Sequence, residues 1–213
     1  MKYAKNYDAQ DYSNFKENSA REVARLVGDE PSLIIGLEHY NITFCYNQPD
    51  VDLVTFDAHK DSFFPETNYP EFTDGSFLRW RKGKTYILGA GGWTSDKKIK
   101  GFSKRRINKV LKENLSDKIF LSLEIDVFNE NVTTAHHCPD ESFFRKLGFG
   151  KRLDYDPVSD LSKELIKNRN LAGINIAGYD PLLDKPGFKT AEMLKDYLDF
   201  VLLCETDIDL LLN

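Results

Sequence analysis

Five short apolar segments constrain the fold of this chain more than any other feature of its sequence. They are residues 32–37 (SLIIGL), 52–56 (DLVTF), 85–90 (TYILGA), 119–125 (IFLSLEI) and 171–178 (LAGINIAG). Apolar runs of this length are typical of strands that are buried on both faces of a sheet. Strands of this kind imply helices on both sides of the sheet.

Helical patterns lie between and after these segments. Residues 19–27 (SAREVARLV) open with a capping box of Ser19 and Glu22 and place apolar residues on one face. Further helices are expected to follow Ser103, Ser159 and Thr190. The alternation predicts an α/β chain with a central, mostly parallel sheet.

Length and composition favour one domain, residues 1–213, in a soluble protein. A chain of 213 residues with 41% hydrophobic residues can form one substantial core. Its net charge of −5 argues against nucleic acid or an anionic membrane as a partner, and no apolar segment reaches the ~18 residues of a membrane span. Three cysteines without CxxC spacing argue against a disulfide framework. We therefore expect a cytoplasmic protein.

Metal-ligating residue types follow three of the predicted strands. They are His39 after the first, Asp57, His59 and Asp61 after the second, and Glu124 and Asp126 at the end of the fourth. The carboxyl ends of parallel strands meet at one edge of a sheet, where ligand sites form. Clustered carboxylates repel one another unless a cation neutralises them, so the pattern indicates a metal site.

Three motifs at these positions resemble those of the arginase, agmatinase and formiminoglutamase family, the ureohydrolases. DAHKD (57–61) resembles the family's DAHxD, SLEIDVF (122–128) its SxDxDxxDP, and GLEHYN (36–41) its GGDHS. The resemblance spans roughly Ser19 to Val201 and is that of a short, divergent member. It implies an arginase-like three-layer αβα fold, a small-molecule substrate and a homo-oligomer.

The resemblance also implies two Mn²⁺ ions per chain. The first ion would be held by His39, Asp57, Asp61 and Glu124, and the second by His59 and Asp126, with Asp57 and Glu124 bridging. Oxygen-rich ligands with imidazole suit Mn²⁺ better than a thiolate-preferring metal. Two such ions share a water, lower its pKa and direct the resulting hydroxide at a planar carbon, which in this family leads to C–N cleavage.

The chain departs from the family pattern at three site positions. Glu124 replaces an Asp, Asp74 stands where the family has a His that assists proton transfer, and Gly178 replaces the Glu that pairs with a guanidinium. Arginine and agmatine are therefore expected to be poor substrates. Little of the chain precedes Ser19, so the first strand of the family pattern is expected to be absent.

Two adjacent histidines, His136 and His137, are candidates for the missing proton shuttle, because imidazole titrates near neutral pH. The alternative is that they belong to an exposed polar loop without a function of its own. Two other functions also stay open. Asp57, His59 and Asp126 alone resemble the single-metal site of deacetylase-like amidohydrolases, and the chain would otherwise be a non-catalytic binding or scaffold protein of this fold.

Overall fold

The seven strands that the structure describes form one sheet in the order β1-β2-β7-β6-β3-β4-β5, and every pairing is parallel. The structure is a computed structural model, and it describes residues 2–6, 15–36, 39–60, 76–89, 97–102, 104–128, 132–133, 153–184, 187 and 189–202. The strands are β1 (Lys2–Asn6), β2 (Ser32–Gly36), β3 (Val51–Phe56), β4 (Thr85–Leu88), β5 (Ile99–Phe102), β6 (Lys118–Glu124) and β7 (Asn170–Ala177).

Helical segments connect these strands. The α-helices among the described residues are α1 (Phe15–Val27), α2 (Tyr155–Asn168) and α3 (Lys189–Leu202). The 3₁₀ helices are His39–Thr43, Phe77–Trp80, Lys104–Lys112 and Ile125–Val127. No helix in this part of the chain is both long and apolar enough to cross a membrane.

All five apolar segments are strands, as predicted, whereas both edge strands are missed from sequence. In edge strand β5, the two middle residues, Lys100 and Gly101, are exposed and the two end residues are buried. Edge strand β1, with the sequence KYAKN, has no apolar run at all. The expectation that a first strand is absent is therefore wrong, since β1 pairs with β2.

The helix positions are correct but two of their starts are not. Helix α1 begins at Phe15, so Ser19 lies inside it and the predicted capping box is wrong. The carboxylate of Glu22 instead accepts hydrogen bonds of 2.6 and 2.9 Å from Arg25 in the next turn. Helix α2 begins at Tyr155, and the predicted start at Ser159 is a buried position inside it.

Two hydrophobic clusters, one on each face of the sheet, join the sheet to the helices that cover it. Along β6, Leu121 and Leu123 belong to the cluster under α2 and α3, while Phe120 belongs to the cluster under α1. Because successive side chains of a strand point to opposite faces, this division means that helices cover both. The described residues thus form the three-layer αβα arrangement predicted from sequence.

The central pair of strands ends at the same level. Phe56 of β3 is in register with Leu123 of β6, so the next residue of each strand, Asp57 and Glu124, lies at one edge of the sheet. The chain reaches this edge again at His39, three residues after β2 ends at Gly36. The fold therefore brings residues from three separate parts of the chain together.

Candidate metal centre

Asp57 is the first residue after β3 and the most deeply buried carboxylate of the site, with 1% of its surface exposed. Its backbone N–H donates to the carbonyl of Leu88 in β4 over 3.0 Å, which holds it beside the sheet. Its Oδ1 accepts a hydrogen bond of 2.6 Å from the backbone N–H of His59. An Asp side chain that accepts from the backbone N–H two residues later forms an Asx turn, and this turn directs the His59 side chain back toward Asp57.

Asp126 lies in the 3₁₀ helix that follows β6 and faces the same turn. Its Oδ1 accepts from the backbone N–H of Ala58 over 3.3 Å, and its Oδ2 lies 2.9 Å from Nδ1 of His59. The same imidazole nitrogen lies 3.7 Å from Oδ1 of Asp57. Both carboxylate oxygens of Asp126 are therefore oriented by the turn of Asp57, Ala58 and His59, the DAH turn.

His39 and Glu124 form a second close pair at the site. Nδ1 of His39 lies 2.7 Å from Oε1 of Glu124, and Glu124 is the last residue of β6. The carboxylate is nearly buried and the imidazole is about one-sixth exposed. The pair joins the start of a 3₁₀ helix to the end of a central strand.

These five side chains make two overlapping groups. In the His39 group (His39, Asp57 and Glu124), one potential ligand atom of each residue lies within 4.8 Å of those of the other two. The same holds for the His59 group (Asp57, His59 and Asp126). Asp57 belongs to both groups and lies between the two imidazoles.

The electrostatics of the site centre on Asp57. Burial raises the pKa of the Asp57 carboxyl well above its ordinary value, and the charges of Glu124 and Asp126 raise it further. Burial raises the pKa of Asp126 too, but the hydrogen bond and charge of His59 outweigh this and lower it overall. For His59, burial lowers the pKa, but the hydrogen bond and charge of Asp126 and the charge of Asp57 raise it overall.

This arrangement fits divalent metal ions. Three buried carboxylates face only two imidazoles, so an ionised Asp57 is unfavourable among these residues unless another cation is present. The donor set is carboxylate oxygen and imidazole nitrogen, which suits Mn²⁺ and related hard ions. The residues therefore have the composition, the spacing and the excess negative charge of a metal centre.

The structure brings together five of the six predicted metal ligands: His39, Asp57, His59, Glu124 and Asp126. Their metal-binding roles stay predictions, including the bridging role of Glu124, which groups with His39 rather than with His59. The sixth ligand, Asp61, lies outside the described residues. So do the predicted catalytic residues Asp74, His136 and His137, whose roles also stay predictions.

Gly178 is the first residue after β7 and lies beside the centre. Its φ of +74° is one that residues with a side chain rarely adopt. A Cβ at this position would lie 3.7 Å from Cγ of Glu124. The position thus adjoins the site, as expected, and it contributes no carboxylate there.

Phe77 is a residue of the site that sequence analysis missed. Its ring stacks on the imidazole of His39, with 4.6 Å between the ring centroids and 30° between the planes. Phe77 lies within residues 61–83, where the sequence shows no periodicity, and a single aromatic residue there carries no distinguishing signal. Only the folded structure identifies it.

Solved structures with the same fold share this architecture. Agmatine ureohydrolase of Thermoplasma volcanium matches with a TM-score of 0.68 and 19% identity, covering 91% of this chain and 70% of that one. Formimidoylglutamase from Bacillus subtilis matches with a TM-score of 0.67 and 19% identity, covering 93% and 69%. Helicobacter pylori arginase matches with a TM-score of 0.61 and 16% identity, covering 93% and 78%.

No protein-family model matches the sequence, and no curated protein matches it either. The similarity is therefore one of structure, at identities of 16% to 19% among these three structures. At such identities the comparison establishes the arginase-like fold, which was predicted from the motifs.

Proposed function

We propose that this protein is a dinuclear-metal hydrolase of the ureohydrolase type. It would bind two Mn²⁺ ions and hydrolyse a C–N bond in a small guanidino-, amidino- or formimino-like substrate. The observation that carries the proposal is the position of Asp57, a buried carboxylate shared by two groups of potential ligands. The fold that the chain shares with agmatine ureohydrolase, formimidoylglutamase and arginase structures supports the reaction class.

Each group would hold one ion, with Asp57 contributing to both. His39 and Glu124 would complete the first site together with the predicted ligand Asp61, and His59 and Asp126 would complete the second. Two divalent ions held by these residues would supply an acidified, oriented water at neutral pH.

The chain's own residues prepare the site by fixing the ligand side chains. The backbone N–H groups of Ala58 and His59 hold oxygens of Asp126 and Asp57, and the imidazole of His59 orients the other oxygen of Asp126. Ligands oriented in this way lose little freedom when an ion binds. Hydrolysis also requires a proton to reach the departing nitrogen, and for this step we propose Asp74, His136 and His137.

Metal content tests the proposal directly. We expect elemental analysis of protein loaded with Mn²⁺ and then desalted to give two ions per chain. One ion per chain would contradict the dinuclear site and favour a single-metal amidohydrolase based on the His59 group, whose members already hydrogen-bond to one another. Zero ions would favour a non-catalytic scaffold.

Arginine and agmatine are expected to be poor substrates. A buried guanidinium needs a carboxylate partner, and the loss of such a charge-assisted pair costs about 2–5 kcal/mol. Gly178 has no carboxylate to offer beside Glu124. Urea release from arginine and agmatine, compared with formamide release from formimino compounds, measures the difference.

The assay requires protein with a confirmed content of two ions, so that weak turnover reports the substrate and not the metal. Urea release from either compound at ordinary enzymatic rates, kcat ~1–10³ s⁻¹, would contradict the prediction. Another acid, such as Asp180, would then have to pair with the guanidinium.

A further inference from the structure

The two groups of ligands are built on supports of different rigidity. Asp57, Glu124 and Asp126 lie at or directly after the ends of β3 and β6, the central strands of the sheet. His39 lies on a five-residue 3₁₀ helix that packs on the α1 face of the sheet. The orientation of His39 therefore depends both on Glu124 at the end of β6 and on contacts outside the sheet.

Phe77 supplies one of the contacts that orient the ring, in addition to that of Glu124. It is 1% exposed, lies in the 3₁₀ helix Phe77–Trp80 and stacks its ring on the His39 imidazole. Offset stacking favours one orientation of a ring relative to its partner. A flat support beneath an imidazole restricts the direction in which its nitrogens point.

Hydrogen bonds from side chains to backbone carbonyls also link the two short helices. The hydroxyl of Thr43 donates to the carbonyl of Phe77 over 3.4 Å. The buried guanidinium of Arg81 donates through Nη1 to the carbonyls of Ile42 and Cys45, both over 3.1 Å, and through Nη2 to Val51 over 3.2 Å. These bonds connect the backbone of Phe77 and the side chain of Arg81 to the His39 helix and the residues after it.

The His59 group is joined by contacts at the ends of β3 and β6. Its members are joined by hydrogen bonds of 2.6 and 3.3 Å that involve the backbone of the DAH turn, and by the 2.9 Å contact between His59 and Asp126. His59 follows Asp57 by two residues, so their relative placement is largely local. This group is prepared for an ion by the strand end itself.

We propose that Phe77 is a positioning residue for His39 and that it governs the affinity of one of the two metal ions. The His59 group would bind its ion more tightly, and the His39 group would bind the other ion with an affinity that depends on the Phe77 ring. This inference rests on the proposed dinuclear function and deepens it.

The inference is tested by titrating Phe77→Leu with Mn²⁺ in an isothermal calorimeter. The protein is first treated with a chelator and then desalted. Changes in residues that orient a metal ligand typically weaken metal affinity about 10- to 100-fold. We expect a loss of this size at the weaker site and no change at the tighter site. A general loss of folding would instead affect both sites.

Two further variants separate positioning from packing. Phe120→Leu is the matched control, because Phe120 is equally buried in the same hydrophobic cluster but packs against Tyr46. We expect it to lower the melting temperature as much as Phe77→Leu while leaving both metal affinities unchanged. Phe77→Tyr keeps the stacked ring, and we expect it to restore the affinity of the weaker site even if the buried hydroxyl lowers stability.

Several results would overturn the inference. Equal loss at both sites in Phe77→Leu, the same change in Phe120→Leu, or no recovery in Phe77→Tyr would each show that Phe77 acts only as a core residue. In those cases two ions still bind to the wild type, so the proposed function stands. A wild type that binds no Mn²⁺ would overturn both the inference and the proposed function.

Discussion

Replacement of Asp57 with Asn should remove both metal ions, whereas His39→Ala should weaken only one. Asp57 is the residue common to the His39 and His59 groups, and neutralising it leaves each group one carboxylate. His39 belongs to a single group, which makes His39→Ala the matched control. Equilibrium dialysis against Mn²⁺ with elemental analysis measures the stoichiometry of both variants.

The same substitution should stabilise the protein once metal has been removed by a chelator. The ionised carboxylate of Asp57 is buried close to Glu124 and Asp126, and Asn keeps its size and the oxygen that accepts from His59. Relief of an uncompensated buried charge is worth about 1–3 kcal/mol. We therefore expect Asp57→Asn to lose metal and to gain free energy of unfolding in the chelated state.

This gain should depend on pH in a definite direction. Because the pKa of Asp57 is raised in the folded protein, its contribution to stability is present below the unfolded pKa and is lost as pH rises through the folded value. At acid pH the wild type holds a neutral Asp57 and resembles Asp57→Asn. The advantage of the variant should therefore grow as pH rises, as urea unfolding in chelator at a series of pH values would measure.

The opposite behaviour would contradict the assignment of Asp57. If Asp57→Asn binds Mn²⁺ as the wild type does, Asp57 is not a ligand. The variant could instead be less stable than the wild type in chelator at neutral pH. That result would mean that the protein already compensates the buried carboxylate, so the site has no excess negative charge.

Glu124→Gln should bind metal far more weakly than Glu124→Asp. The Gln side chain keeps the length of Glu but removes a negative charge from a site whose carboxylates would balance the two proposed divalent ions. Asp keeps the charge and shortens the arm by one methylene, so it should retain the ions with altered geometry. An ion at a hundredfold excess over its Kd stabilises the folded state by about 2.7 kcal/mol.

Thermal unfolding with and without Mn²⁺ distinguishes the two variants. We expect Mn²⁺ to raise the melting temperature of the wild type and of Glu124→Asp clearly, and that of Glu124→Gln much less. Equal increases in all three proteins would show that Glu124 is no ligand and would leave the His59 group as a single-metal site. No increase in any of them would favour a scaffold.

The centre of the sheet is predictable from sequence because its strands are buried on both faces. Strands β3 and β6 are buried almost throughout and therefore read as apolar runs, and the ligands follow because polar residues at such strand ends converge. Edge strands β1 and β5 lack this signal, since an edge needs less apolar burial. Helix α1 begins before Ser19, and within it Glu22 pairs with Arg25 instead of capping.

What sequence cannot supply is the set of side-chain distances within the site. The motifs imply six ligands with Asp57 shared between two ions, but they do not give the 2.7 Å contact between His39 and Glu124 or the 2.9 Å contact between His59 and Asp126. Phe77 is invisible for the same reason, because its importance lies in a ring contact with a residue 38 positions away. Long-range packing of this kind is decided by the fold as a whole.

The separation of the ligands along the chain has a consequence for the kinetics of folding. His39 and Glu124 are 85 positions apart, and Ala58 and Asp126 are 68 apart, so the centre exists only after β3 and β6 have paired. Under the proposed function, bound ions would act as a late cross-link between these distant segments, contributing little to the transition state for folding and leaving before the central strands separate. Metal should accordingly slow the opening of the native chain, leave the speed of its formation unchanged, and so determine how long the protein persists rather than how fast it folds.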